Sequence, residues 1–172
     1  MSIEFSLFDP AKTYGGRKQF DCAHTVIKKF VHESLVSQVK RQLSVAYVLT
    51  EPDQNDRVVG FFTMAHHAID ASSPSTLQRG SLPRRVPCVR LIMLGVDKNF
   101  KHQKLGSRLM KQALAVTKES SSLMGCYGLY LDADPGAVGF YQKLGFALLV
   151  EDKSPEPSPM FITMRSISGG AG

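Results

Sequence analysis

The sequence predicts an α/β fold, and two patterns carry that prediction. In the first, the apolar run Leu91–Val96 predicts a buried strand, and apolar residues recur at helical spacing over 105–114 after a short basic loop. In the second, Val45–Thr50 and Val58–Ala65 predict two strands separated by the turn-forming segment 52–56. The chain thus contains a predicted hairpin and, separately, a strand that leads into an amphipathic helix. Together these two units indicate a sheet covered by helices.

The remaining elements are predicted from the same two periodicities. In the first half of the chain we expect one or two helices over 21–43 with a break near Ser34, and a short helix is one option over 68–81. An extended loop over 79–88 then precedes a strand at 89–96. In the second half we expect a helix at 105–118, a strand at Tyr127–Ala133, a short helix from Pro135 to Leu144 that Gly145 ends, and strands at Phe146–Val150 and Met160–Arg165. The sequence contains no repeat, so we expect a lead-in over 1–19, a single domain over 20–167 and a flexible tail over 168–172.

Composition and charge restrict the class of protein. The chain has 172 residues and 43% apolar content, which fits one globular domain, and no apolar run approaches the ~20 residues of a membrane span. A net charge of +6 favours an anionic partner such as a nucleotide cofactor, nucleic acid or an acidic protein, although solubility alone also explains it.

Cysteine usage and the first residues of the chain indicate the compartment. Cys22, Cys88 and Cys126 are far apart and odd in number, which argues against a disulfide framework. The first residues lack the pattern of a secretory signal, so we expect a reducing, cytoplasmic setting. We expect Cys22 and Cys126 to be buried as small apolar residues, and no metal is expected because no Cys/His group has zinc spacing.

The stretch LIMLGVDKNFKHQKLGSRL, residues 91–109, carries the first chemical signal. A strand ends, a basic loop follows, and a helix begins with Gly106 in its first turn. Free backbone N–H groups at a helix start bind anions, and a glycine lets a phosphate approach closely, so the pattern predicts a pyrophosphate cradle. A glycine that serves packing alone is the alternative. The pattern is neither a P-loop nor a dinucleotide G-x-G-x-x-G motif.

Three segments occur in a diagnostic order: Leu94-Gly95-Val96-Asp97, Lys101-His102-Gln103-Lys104-Leu105-Gly106, and AVGFYQKLGF from Ala137 to Phe146. This order resembles the GNAT family of N-acetyltransferases. Further segments narrow the resemblance to the acetyltransferase toxins of bacterial toxin–antitoxin pairs, namely Phe20-Asp21-Cys22, Tyr47-Val48-Leu49, Val59–Thr63, LPRRVP over 82–87 and Ser158-Pro159-Met160. The resemblance covers residues 20–165, nearly the whole chain.

The resemblance implies a fold, a cofactor and partners. The fold would be a mixed, mostly antiparallel twisted sheet flanked by helices and splayed at the cofactor strand. The activity would be transfer of acetyl from acetyl-CoA to the α-amino group of aminoacyl-tRNA, which inhibits translation until a ribbon–helix–helix antitoxin neutralises the toxin. A homodimer is common in the family. Two alternatives stay open: a GNAT enzyme for a small amine or a protein N-terminus, and a CoA-binding complex component without turnover.

The resemblance also assigns the cofactor site. The strand end would pair with the pantetheine arm, and the basic loop and helix start would hold the pyrophosphate. Asp134 and Phe140 would complete the cofactor-binding residues. Asp134 also fits the alternative of a residue that begins a helix. The predicted cofactor-binding residues are therefore Leu94, Gly95, Val96, Lys101, His102, Gln103, Lys104, Leu105, Gly106, Ser107, Asp134 and Phe140.

Two positions depart from the family pattern. The family's loop usually reads Arg/Gln-x-x-Gly-x-Gly/Ala. In this chain Lys101 occupies the position of the Arg or Gln, and Lys104 occupies the position of the first glycine. Because lysine has a Cβ, we expect the backbone at Lys104 to adopt a conformation that does not require glycine. The toxins usually carry Arg where this chain has Met93, so any contact made by that arginine must be made otherwise.

Tyr141 is the predicted catalytic residue. A phenol with a pKa near 10 stays protonated at neutral pH and can donate to a departing thiolate, and the resemblance assigns the same role to the tyrosine of Phe-Tyr. The alternative is a core aromatic on an amphipathic helix. No base is clearly placed, although His66 or His67 could act through water; the alternative is that each is a surface or loop histidine. A free α-amine has a pKa of about 7.7–8.0 and needs less help than a lysine amine near 10.4, which favours an aminoacyl ester as acceptor.

A cluster of cations precedes the cofactor strand. Phosphate contacts supply much of the affinity for nucleic acid, so these residues could bind a tRNA acceptor stem. The alternatives are a solvated cationic face and a dock for an acidic antitoxin. The predicted substrate-binding residues are Arg79, Arg84, Arg85, Arg90, Lys28 and Lys29, which Lys40 and Arg41 could extend.

Overall fold

The computed structural model describes residues 2–70 and 82–169, and its contacts divide the chain into two compact units. The first unit extends to Ala65 and includes Ile92–Ala113. The second comprises His66–Leu91 and the chain from Leu114 onward. The sequence predicts a single domain over 20–167, and this remains a prediction.

The first unit is built on an antiparallel hairpin. Its elements are, in chain order, β1 (Glu4–Leu7), α1 (Thr25–Glu33), α2 (Leu35–Lys40), β2 (Val45–Glu51), the first part of β3 (Arg57–Asp70), the last part of β4 (Arg85–Val96) and the first part of α3 (Leu105–Ser120). Strand β2 pairs antiparallel with β1 on one side and with β3 on the other, with a register shift between Leu49 and Thr50. The predicted break between two helices is confirmed, because Ser34 ends α1 and caps α2.

Aromatic and branched side chains form the core of the first unit. Phe20 and Phe61 are fully buried and meet edge to face, with ring centroids 5.6 Å apart. Helices α1 and α2 bury Val31 and Leu35 against them. Fully burying each such side chain contributes about 1.5–3 kcal/mol, so this cluster fixes the hairpin and both helices together. The buried members are Phe8, Tyr14, Phe20, Val31, Leu35, Ala46, Val48, Val58 and Phe61.

The second unit contains the remaining strands. Its elements are the last part of β3, the first part of β4, the last part of α3, then β5 (Gly128–Ala133), α4 (Val138–Lys143), β6 (Ala147–Leu148), β7 (Ser158–Thr163) and α5 (Met164–Gly169). Strand β7 pairs antiparallel with both β5 and β6. The predicted short helix is confirmed as a 3-10 turn at Pro135–Ala137 followed by α4, and Gly145 (φ 101°) takes the left-handed conformation that ends it.

Within the described residues, seven strands form one sheet in the order β1-β2-β3-β4-β5-β7-β6. Most neighbours are antiparallel, and β4 with β5 is the parallel pair. The β4–β5 ladder consists of the pairs Val89–Leu129 and Arg90–Tyr130, although β4 continues to Val96. The mixed, mostly antiparallel sheet is confirmed, and the short parallel ladder agrees with splaying at this strand. No helix of the described chain is long and apolar enough to cross a membrane.

Three differences from the predicted elements lie in the first half of the chain. The lead-in over 1–19 contains β1, whose four mostly exposed residues give no alternation to detect. Strand β3 continues five residues beyond the predicted end at Ala65, so His66 and His67 lie within it. Strand β4 begins at Arg85, inside the predicted loop, and includes Pro87, whose carbonyl accepts a hydrogen bond from the N–H of Tyr127, 2.8 Å away.

The other differences lie near the C-terminus and around residue 70. Strand β6 has two residues instead of the five predicted over 146–150, and β7 ends at Thr163. Met164–Gly169 form α5, so the predicted strand end at Arg165 and the first residues of the predicted tail are helical. The optional helix over 68–81 is excluded at 68–70, which belong to β3, and 71–81 lie outside the described residues.

We expect Gly128→Ala to destabilise the protein strongly. An added Cβ at Gly128 would lie 2.0 Å from the backbone oxygen of Ile162 and 2.7 Å from the Phe161 ring, and the paired β7 backbone cannot withdraw. Overpacking of this kind costs about 3 kcal/mol or more. Urea denaturation measures the free energy of unfolding. Gly139→Ala is the matched control, because a Cβ there meets nothing within 4 Å, and equal stability of the two variants would contradict the prediction.

Candidate active site

The turn over residues 97–104 is anchored by the side chain of Asp97. This buried carboxylate accepts hydrogen bonds from the backbone N–H of Asn99 at 2.9 Å and of Asp21 at 3.2 Å. The first bond caps a 3-10 turn at 98–100, and the second connects the turn to the segment before α1. Charged acceptors make the stronger hydrogen bonds, so the point where β4 ends is well defined.

Helix α3 begins at Leu105, and most residues around its start are exposed. Leu105 is buried, whereas Ser107 and residues 101–104 are exposed. The first N–H groups of a helix have no partner within it, and the helix dipole adds a partial positive charge. A Cβ built on Gly106 meets nothing within 4 Å, so packing among the described residues does not require glycine there. The open space above the helix start therefore fits a bound phosphate.

The sequence predicts a backbone conformation at Lys104 that does not require glycine, and this prediction is wrong. Lys104 has φ 56° and His102 has φ 69°, so both lie in the left-handed region. Conformations of this kind cost a non-glycine residue about 1–3 kcal/mol each and persist where the surroundings determine them. The turn thus keeps the backbone form that glycine usually adopts while retaining the lysine ammonium.

The predicted strand-end residues lie on the last part of β4. Leu94 and Val96 are half-buried and Gly95 is buried. A Cβ at Gly95 would come within 3.1 Å of Ile27 and 3.3 Å of Phe61, which explains the glycine by close packing. Met93, at the position where the toxins carry arginine, packs against the first unit's core, and its N–H donates to the Thr63 hydroxyl at 3.2 Å.

Tyr141 is buried in α4 between two aromatic rings. Phe140 and Phe146 meet it edge to face, at centroid distances of 5.2 and 5.6 Å. Burial raises the pKa of Tyr141 to about 12, with a smaller contribution from the carboxylate of Asp134. The phenol is therefore protonated throughout the physiological range. Asp134 precedes the 3-10 turn, and its carbonyl accepts from the N–H of Ala137 at 2.8 Å, as expected for a helix-start residue.

The sequence missed a polar cluster on β3, β4 and β5. Arg90 donates to one oxygen of Asp132 at 3.0 Å, and the Tyr130 hydroxyl donates to the other at 2.9 Å. The ring of His67 lies 4.6 Å from that of Tyr130. Burial, followed by the charge of Arg90, lowers the pKa of His67, which keeps the imidazole neutral at pH 7. The signal was present in β5, because Tyr130 and Asp132 alternate with buried Leu129 and Leu131.

The predicted substrate-binding cations are distributed between the two units. Arg84 and Arg85 are exposed in the second unit, where Arg90 is paired with Asp132. Arg79 lies outside the described residues. In the first unit, Lys28 lies 3.5 Å from Asp21.

The lysines of the first unit border a surface cavity. Lys28 and Lys29 line its volume of about 410 Å³ beside the start of α1, together with His24 and His32. The backbone N–H of Ala23 and the ammonium of Lys98 lower the pKa of Asp21 to about 2, so this carboxylate stays charged. The cavity consequently has mixed charge. Lys40 and Arg41 are both exposed, on α2 and directly after it.

The three cysteines are free thiols without a nucleophilic setting. Cys88 is buried, whereas Cys22 and Cys126, predicted to be buried, are half-buried. Burial raises the pKa of all three thiols, to about 12 for Cys88, so the reactive thiolate is disfavoured. Within residues 2–70 and 82–169, no group of three or more His, Cys, Asp or Glu side chains could hold a metal ion.

Comparison with known proteins defines the family. Residues 28–146 match the acetyltransferase (GNAT) family, and no curated protein matches the sequence. The chain is similar to the crystal structure of a bacterial toxin, at 30% identity over 99% of this chain and 95% of that chain, with a TM-score of 0.93. It is similar to AtaT complexed with acetyl-methionyl-tRNAfMet, at 25% identity over 99% and 100% of the two chains, with a TM-score of 0.87. A third similar structure is AtaTR bound with acetyl-CoA, at 25% identity over 99% and 98%, with a TM-score of 0.84.

The mixed, mostly antiparallel sheet agrees with this match. Because the matched residues span more than half of the sequence, the chain belongs to the GNAT family of acetyl-CoA-dependent N-acetyltransferases.

Proposed function

We propose that this enzyme transfers acetyl from acetyl-CoA to the α-amino group of aminoacyl-tRNA and thereby inhibits translation as a toxin. The observation that carries the proposal is the similarity over 99% of the chain to AtaT, which was solved with acetyl-methionyl-tRNAfMet. A cytoplasmic location follows from this substrate. A ribbon–helix–helix antitoxin as partner and a homodimer as the assembly belong to the same proposal.

The start of α3 is proposed to hold the donor's pyrophosphate. The free N–H groups of Leu105, Gly106 and Ser107 would bind it, and the exposed side chains of Lys101 and Lys104 would add charge. His102 and Gln103 belong to the same loop. When bound, acetyl-CoA supplies an acyl group activated as a thioester.

The end of β4 is proposed to bind the amide-rich arm of the donor. An extended ligand can pair with a strand beyond the point where its neighbour stops pairing, and β4 continues past its two-residue ladder with β5. Leu94, Gly95 and Val96 would supply these backbone groups, and the N–H near Val96 would polarise the acyl carbonyl.

Tyr141 is proposed to protonate the departing sulfur, with Phe140 packed beside it. Its pKa, raised to about 12 by burial, keeps the phenol protonated over the range about pH 8–10, in which the acceptor amine is mostly neutral. The edge-to-face contacts with Phe140 and Phe146 limit movement of the ring, so the hydroxyl direction is set before the substrate arrives.

The acceptor amine needs little help from the protein. An α-amine with a pKa of about 7.7–8.0 is partly neutral at pH 7. Burial lowers the pKa of His67, so its imidazole is neutral at pH 7 and has a nitrogen free to accept the amine proton. For the tRNA backbone, exposed Arg84, Arg85 and Lys29 are the favoured contacts, since Arg90 and Lys28 already face carboxylates.

Labelled acetyl-CoA should transfer its acetyl group to charged tRNA and leave uncharged tRNA and a panel of small amines unlabelled. We expect Tyr141→Phe to lower kcat about 100-fold or more, because the proton donor is lost while the packing remains. Tyr127→Phe is the matched control and should keep the parental rate. Label in the amine panel alone would overturn the proposed substrate, and an unchanged rate for Tyr141→Phe would overturn the role of the phenol.

Gly106→Ala should fold normally and bind acetyl-CoA at least about tenfold more weakly. The new methyl group enters open space, so the free energy of unfolding should change by no more than about 1 kcal/mol. Where a phosphate approaches, the same methyl would overlap it, which costs about 1–3 kcal/mol. Titration calorimetry with acetyl-CoA measures the effect, and Gly169→Ala, another open position, is the control. Parental affinity in Gly106→Ala would exclude the helix start as the cradle.

The pH profile should be governed by the acceptor. We expect kcat/KM for charged tRNA to rise with pH up to the α-amine pKa of about 7.7–8.0, as the amine loses its proton. It should then stay level to pH 10, because Tyr141, with a pKa of about 12, remains protonated. Initial rates are measured before the aminoacyl ester hydrolyses. A decline between pH 8 and 10 would indicate a proton donor other than Tyr141.

A further inference from the structure

Arg57 is bound to a carboxylate that has almost no access to water. Glu51 at the end of β2 is 2% exposed, and its Oε1 accepts a hydrogen bond from Nε of Arg57 at 2.7 Å and forms an ion pair with Nη2 of the same guanidinium. Its other oxygen has no hydrogen-bond partner within the described residues. Glu51 is buried and Arg57 is about half-exposed, and because a buried carboxylate without a partner is costly, this pairing holds the guanidinium at its position.

The same guanidinium covers the ring of Phe100. Its central carbon lies 4.9 Å from the ring centroid, within cation–π distance. Phe100 is 6% exposed and closes the 3-10 turn immediately before residues 101–104. Its N–H donates to the carbonyl of Asp97 at 2.9 Å. Phe100 is thus held through its ring by Arg57 and through its backbone by Asp97.

The segment that follows Phe100 needs such an anchor. His102 and Lys104 both have left-handed backbone conformations, which are retained only where neighbouring contacts determine them. Buried Leu105 anchors the downstream end. Upstream, Asp97 and Lys98 connect the turn to Asp21, and Phe100 connects it to Arg57.

We propose that Arg57 is a positioning residue for the donor-binding turn. It acts through Phe100 and sets the backbone of residues 101–104, on which affinity for acetyl-CoA depends. The inference rests on the proposed assignment of this turn and of Gly106 to the pyrophosphate. It predicts an effect on donor binding and not on the chemical step.

Lys12 provides a matched control for this role. It forms an ion pair with Asp56 at 2.9 Å on the same β2–β3 connection, and its ammonium lies 5.2 Å from the ring of Tyr14. Lys12 therefore makes the same two kinds of contact as Arg57, an ion pair and a contact with an aromatic ring, but it makes them with residues outside the 97–104 turn. Lys12→Ala should change neither the affinity for acetyl-CoA nor the rate.

Phe100→Leu is the principal variant, because it retains an apolar side chain and leaves the Glu51–Arg57 ion pair in place. We expect the KM for acetyl-CoA, and its Kd by calorimetry, to rise about three- to tenfold, the range of a cation–π contact. The kcat at saturating acetyl-CoA should stay within about twofold of the parent. Arg57→Lys, which keeps the charge and loses the planar fork, should give the same pattern, and combining the two changes should add little to either.

The outcomes separate this inference from the proposed function. Parental Kd values for Phe100→Leu and Arg57→Lys, or losses of kcat that follow a fall in Tm, would overturn the positioning role. If Gly106→Ala also bound acetyl-CoA normally, the assignment of the turn itself would fail. Calorimetry with acetyl-CoA requires no acceptor, so the test remains decisive whether or not charged tRNA is acetylated.

Discussion

Two backbone N–H groups converge on the carboxylate of Asp97, and the geometry of the 97–104 turn depends on this convergence. One comes from within the turn and the other from Asp21, in the segment before α1. The main chain of Asp97 also donates to the carbonyl of Val59, so the end of β4 is held to β3. A helix start can bind an anion only where its first N–H groups have a defined direction. Here that direction derives from a buried carboxylate and from Leu105 at the first helical position.

Charge is arranged differently around the two parts of the proposed chemistry. Near the helix start, the exposed ammonium groups of Lys101 and Lys104 supply positive charge for a phosphate. In the second unit, the Arg90 charge is balanced by Asp132, and the Tyr130 phenol is held by the same carboxylate, which together with burial raises its pKa to about 12. A neutral imidazole at His67 and a protonated phenol at Tyr141 result from burial, which penalises every charged form.

Prediction from sequence succeeded where periodicity and motif order are local properties. The α1–α2 break at Ser34, the start of α3 and the termination of α4 at Gly145 all follow from nearest-neighbour chemistry. It failed where pairing with a distant strand decides the outcome. Strand β1 is too short and exposed to show a period, and β4 begins at Arg85 and includes Pro87 although the local sequence predicts a loop there.

The sequence by itself determined the family, the order of the motifs and the residue types available for acetyl transfer, because these depend on which side chains follow one another. Only the tertiary structure decided that Lys104 takes a glycine-like backbone, that Gly106 lies under open space, and that Arg90 is neutralised by a carboxylate 42 residues away. The physical reason is that strain, desolvation and ion pairing arise between residues distant along the chain. A short window of sequence does not contain both partners of a contact such as Arg90 with Asp132.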